Sequence, residues 1–151
     1  EFRRVLFRSY LFEGVHTPHR SCGITLAETF GLPTLSYQAL RRGGITGEGP
    51  CGSVMGGMMV LGELLGDPDP TGKATPELVA AIPRYRQLLA QKQELPIHSS
   101  CNSRTQPHGD FLGDARKHYC TNLVALVAET VAEVLWELHK EVPISGGGEA
   151  R

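Results

Sequence analysis

Residues 116–140 read RKHYCTNLVALVAETVAEVLWELHK, and the spacing of apolar residues in this stretch decides the fold. Leu123, Leu126, Val127, Val131, Val134 and Leu135 recur at helical intervals, while Glu129, Glu133 and Glu137 fall toward the opposite side. The pattern predicts a helix from about Arg116 to Lys140, ended by Val142-Pro143.

Working outward, the same period predicts a helix from about Arg20 to Phe30 that buries Ile24, Leu26, Ala27 and Phe30 and stops at Gly31. A second, about Thr34 to Arg41, should turn Leu35 and Leu40 inward before the glycines Gly43 and Gly44. A third runs from Gly52 to Leu65, where Gly52 and Gly56 share a face and would let another helix backbone approach. Asp67-Pro68-Asp69-Pro70-Thr71-Gly72 is turn chemistry throughout. Thr75-Pro76-Glu77 then reads as N-cap, first helical position and first-turn acid of a helix to about Glu94, with a kink or restart expected at Pro83. Between Pro96 and Asp114 the polar sequence predicts a loop carrying Cys101, with at most a short helix. No run alternates with period two. The expected fold class is all-α, a single-domain helical bundle of about five helices.

Composition narrows the function. A chain of 151 residues with 40% hydrophobic content fits one domain, and a domain of this size buries roughly 68–70% of its unfolded surface without needing disulfides. Fifteen basic and sixteen acidic residues, interspersed, give no footprint for nucleic acid or anionic membrane. The apolar run Val54 to Leu65 falls short of the ~20 residues of a membrane helix, so no transmembrane segment is expected. Leu6-Phe7-Arg8-Ser9 resembles a translated sequencing adapter, and Glu1–Ser9 is expected to be a non-native scar. Without Arg3, Arg4, Arg8 and Glu1, a net of +2, the formal charge moves from −1 to −3. On that reading any leader lies upstream and the compartment stays open, with a lean to the cytoplasm. Residues 10–142 would form the domain and residues 143–151 a flexible tail.

Four cysteines, Cys22, Cys51, Cys101 and Cys120, are too few and too far apart for a secreted disulfide framework. Cys51 follows a glycine-rich approach and opens an apolar helix, a setting in which backbone N–H groups and the helix dipole favour thiolate over thiol. Cys22, near Arg20 and His19, and Cys120, near Arg116, Lys117 and His118, also sit toward expected helix starts. Electropositive surroundings therefore predict depressed thiol pKa values, most of all at Cys51.

The order Cys22, then Gly49-Pro50-Cys51-Gly52-Ser53-Val54-Met55-Gly56, then Cys101 and Cys120, resembles the redox-active protein family with the C-GCAxxG-C-C signature. The resemblance spans Ser21 to Leu138 and departs from the signature at Ser53, where the family carries alanine, and at Pro50 before the cysteine. It implies that all four cysteines form the active site of a redox-active protein, either by thiol–disulfide exchange as an oxidoreductase or by electron transfer. The partner would be a redox protein or a small thiol.

Other readings stand beside it. Four thiolates could hold zinc or an iron–sulfur cluster, joined by His16, His19, His98, His108 or His118, although neither Cys-x-x-Cys nor Cys-x-x-Cys-His occurs. Each cysteine could be a small core residue. A bundle with an exposed glycine face could instead be a non-catalytic interaction module or a homo-oligomer. Met55, Met58 and Met59 read as core filler, and Trp136 as packing.

Overall fold

The computed structural model describes residues 21–138. Among them are five α-helices and two 3-10 turns and no strand. The segments 1–9 and 143–151, together with His16, His19 and Arg20, lie outside the described residues.

Helix α1, Cys22–Thr29, buries Ile24, Leu26 and Ala27, and the chain leaves it through Phe30 and a left-handed Gly31 at φ 68°. Its threonines Thr25 and Thr29 return their hydroxyls to the carbonyls four residues back, so both are buried without an unsatisfied donor. The expected second helix is a 3-10 turn, Leu35–Leu40, and its inward face differs from the expectation. Tyr37 is buried and Leu40 half-buried, whereas Leu35 is 78% exposed. Three residues per turn aligns positions three apart, so Tyr37 and Leu40 share the inner face and Leu35 is carried outward.

Helix α2, Gly52–Leu65, packs on α1 as the paired glycines require. A methyl group at Gly56 would meet Leu26 Cδ1 at 3.0 Å and the Gly23 Cα at 3.2 Å. Gly57 is closed by the Tyr85 hydroxyl, which donates to the Val54 carbonyl at 2.8 Å. This part of the glycine face is thus filled from within the chain. Helix α3, Pro76–Lys92, is capped by the Thr75 hydroxyl, which accepts from the Leu78 N–H at 3.2 Å. It runs unbroken through Pro83. That proline is exposed, and the carbonyl it leaves free belongs to Val79, 60% exposed, where water can serve it.

After α4, Cys101–Thr105, and a short 3-10 turn, helix α5, Asp114–Glu137, closes the bundle. It packs against α1, α2 and α3, with Val127 and Val131 wholly buried and Leu126 only partly so. By length and composition α5 could cross a membrane, yet here it is the core helix of the bundle. Its acids bind α3: Glu137 takes two hydrogen bonds from Arg84, at 2.7 and 2.8 Å, and Glu133 pairs with Lys92.

Candidate functional site: four cysteines around a cationic cavity

Each cysteine is placed by its own element. Cys22 is the first residue of α1, Cys51 the N-cap of α2, Cys101 the first residue of α4, and Cys120 the seventh of α5. Cys120 therefore stands beyond the first turn, because α5 begins two residues earlier than its apolar pattern suggests.

The glycine loop sets Cys51 against Cys101. Pro50 and Ser100, the residues before the two cysteines, form an isolated antiparallel bridge. The Cys101 N–H donates to the Gly49 carbonyl and the Asn102 N–H to the Gly47 carbonyl, each at 2.9 Å. Asn102 also donates through its side chain to Glu48. Only glycine fits at two points of this clasp. Gly47 has φ 82° and its missing Cβ would fall on the Asn102 amide, while Gly43, at φ 57°, would strike the Gly49 carbonyl and the Cys101 Cβ. Cys22 reaches the same place from α1, its sulfur 2.7 Å from where a Gly52 methyl would stand.

All four cysteines line one cavity of about 330 Å³. All four are free thiols. The Cys51 sulfur lies 2.9 Å from the Ser53 hydroxyl, its hydrogen-bond partner. Arg41, Arg42, Arg104, Arg116 and Lys117 also line the cavity, and no aspartate or glutamate among the described residues does.

Depressed pKa values are not what this environment produces at three of the cysteines. Burial pushes the Cys22 thiol far above the ordinary range, and the neighbouring sulfurs of Cys51 and Cys120 add to the effect. Cys101 is pushed up to about 11, again mainly by burial, with Arg116 and Arg42 pulling weakly the other way. Cys120 is raised by burial despite Arg116 beside it. Desolvation of the charged sulfur outweighs helix ends and nearby guanidinium groups, so these three are thiols at neutral pH.

Among the described residues no three His, Cys, Asp or Glu side chains converge to hold one metal ion. None of the described histidines lines the cysteines' cavity: His98 and His118 are exposed, and His108 stacks at 4.2 Å on Tyr119, which does line it. The donor set thus does not form a ready site for a single zinc ion.

Several site residues escape a reading of the sequence. Arg104 is 1% exposed, held by Gln93 Oε1 and the Pro96 carbonyl, both at 2.8 Å, and its Nε has no partner. Arg116 is buried, donates to the Phe111 carbonyl, and lies 4.0 Å over the Phe111 ring, while Arg42 approaches the same ring at 4.8 Å. The only available signal was helical spacing, which sets Arg104 three residues after Cys101 and Arg116 four before Cys120.

Comparison of the chain with protein-family models, curated proteins and solved structures found no match.

Proposed function

We propose that this protein is a thiol redox protein of the kind its cysteine order resembles, with Cys51 and a second cavity cysteine cycling between dithiol and disulfide. The observation that supports the reading is that Cys22, Cys51, Cys101 and Cys120, from four separate elements, all line one cavity. Cys51 is buried and packs in the core, yet it lines this cavity together with three half-buried cysteines, which core filling alone does not require.

The step uses a disulfide as electron acceptor. The Cys51 sulfur, after losing its proton, attacks one acceptor sulfur, the acceptor S–S bond breaks, and one thiolate leaves and takes up a proton. A neighbouring cavity cysteine then loses its proton and attacks the Cys51 sulfur, expelling the second acceptor thiolate. Two protein thiols are oxidised to one disulfide and one acceptor disulfide is reduced to two thiols. The Ser53 hydroxyl, 2.9 Å from Cys51, is placed to donate to charge that develops on that sulfur. The half-buried, protonated Cys22, Cys101 and Cys120 serve as reserve thiols that resolve the mixed disulfide once approached.

The test is a thiol count on protein reduced anaerobically, exposed to a small disulfide, unfolded and titrated. Two thiols should vanish per cycle and return on reduction, and Cys51→Ser should abolish the cycle while the protein stays folded. A wild-type protein that keeps all its thiols titratable, or a Cys51→Ser protein that cycles like the parent, overturns the assignment. Stoichiometric metal in the anaerobic sample, with unfolding on its removal, would favour the four-thiolate alternative instead.

A further inference from the structure

The cavity wall has two characters. Arg41, Arg42, Arg104, Arg116 and Lys117 line the cavity together with the apolar Phe111, Leu112, Leu123 and Val124, and the guanidinium groups of Arg42 and Arg116 lie over the Phe111 ring. Two of the cations are buried, Arg104 at 1% and Arg116 at 6% exposure. Neither forms an ion pair with a carboxylate among the described residues. The hydrogen bonds of Arg104 go to a neutral amide and a carbonyl, and Arg116 donates to the Phe111 carbonyl and faces the Cys120 sulfur. Lys117 has only a distant pairing, 3.8 Å, with Asp114.

A buried charge is costly unless an opposite charge or strong hydrogen bonds compensate it. Here the Arg104 Nε has no partner at all. Cys22, Cys101 and Cys120 do not supply the missing negative charge, since burial keeps them protonated. An anion entering the cavity would supply the negative charge that its lining lacks. A bare inorganic oxyanion would leave the apolar residues unmatched, whereas an organic molecule with an apolar body and a carboxylate end would meet both kinds of lining. The volume, about 330 Å³, is at the small end of ligand sites.

We propose that the cavity binds a small organic carboxylate, and that the electron acceptor of the protein is a carboxylate-bearing disulfide whose acid group seats among these cations with its sulfurs facing the cysteines. The acceptor part of this inference rests on the thiol redox reading above. The binding part does not. In the reaction, the anionic disulfide gains two electrons and two protons and leaves as two acidic thiols, while the protein gains one disulfide.

Two arms separate the claims. In the first, binding of thiodipropionate, a dicarboxylate thioether that cannot be reduced, is measured by calorimetry against the neutral thiodiethanol. The dicarboxylate should bind, lose affinity with added salt, and weaken in Arg42→Gln and Lys117→Gln, substitutions at an exposed and a half-exposed position chosen so that folding survives. Equal binding of the neutral compound, or indifference to salt and to both variants, would overturn the anion site. In the second arm, reduced protein is oxidised by dithiodipropionate, hydroxyethyl disulfide or cystamine. The anionic disulfide should react fastest, by about tenfold or more over the cationic one, with the gap narrowing in salt. Equal rates for all three would overturn the acceptor inference and leave the redox reading standing. Binding of the thioether with no oxidation by any disulfide would overturn the redox reading and leave the anion site standing.

Discussion

Substituting Gly52 by alanine tests the geometry of the cysteine site through stability. A methyl group there would stand 2.2 Å from the Leu40 carbonyl oxygen and 2.7 Å from the Cys22 sulfur. Neither neighbour is the free end of a flexible side chain: one is backbone at the end of the 3-10 turn and the other opens α1. Relief requires α2 to move away from both, an overpacking cost of about 1–3 kcal/mol. Removing a glycine from a helix returns at most about 1 kcal/mol, and less at the first position. The net expectation is a loss of about 1–2 kcal/mol, lowering the melting temperature by roughly 3–8 °C for a domain of this size. Gly62, on the same helix, is the control, because a methyl group there would meet nothing within 4 Å. Gly62→Ala should stabilise by about 0.5–1 kcal/mol. Thermal melts of the two reduced proteins, followed by circular dichroism, should move in opposite directions. If Gly52→Ala melts as high as Gly62→Ala, then Leu40 and Cys22 do not press on the start of α2 and the cavity wall is wrongly assembled.

Three further outcomes are expected. With its pKa pushed up from 9.0 to about 11, Cys101 should carry about a hundredfold less thiolate at neutral pH than an ordinary cysteine and alkylate correspondingly slowly. By linkage, a thiol whose folded pKa is raised contributes nothing against pH below its unfolded value and loses stability as pH climbs from 9.0 toward about 11. The reduced protein should therefore weaken in that window, and Cys101→Ser should weaken less. Tyr85→Phe removes a buried hydrogen bond to the Val54 carbonyl and should cost about 1–1.5 kcal/mol in denaturant unfolding. An unchanged midpoint would mean that water replaces the hydroxyl at Gly57.

Local patterns in the sequence carried much of the fold. The apolar period of residues 123–135, the cap at Thr75 and the stop at Gly31 each depend on neighbours within one or two turns, and each is found in the structure. Tyr37 was missed because a 3-10 turn and an α-helix place different residues inward, and the period of so short a segment does not separate them. Pro83 was expected to disturb α3 because its exposed setting, where water can take the freed carbonyl, is a tertiary property.

The site divides in the same way. The identities of the four cysteines were legible, and so was the glycine approach to Cys51. Their common cavity was not, since it depends on a clasp between residues 47–50 and 100–102 that joins distant parts of the chain. The expected depressed pKa values failed at Cys22 and Cys120 for a related reason: helix starts can be read locally, but desolvation is fixed only when the bundle closes. Arg104 was overlooked because arginine is ordinarily exposed, and its hydrogen-bond partners, a glutamine amide and a proline carbonyl, leave no charge pattern in the sequence.

The central claim, that the four cysteines act together across one cavity, is tested most directly by mapping the sulfur bonds formed when the folded, reduced protein meets a small disulfide. After quenching, unfolding and digestion, mass spectrometry should find an intramolecular bridge joining Cys51 to Cys22, Cys101 or Cys120, with the mixed disulfide at Cys51 only as a transient. Stable mixed disulfides at separate cysteines with no bridge between any two, or four untouched thiols, would contradict it.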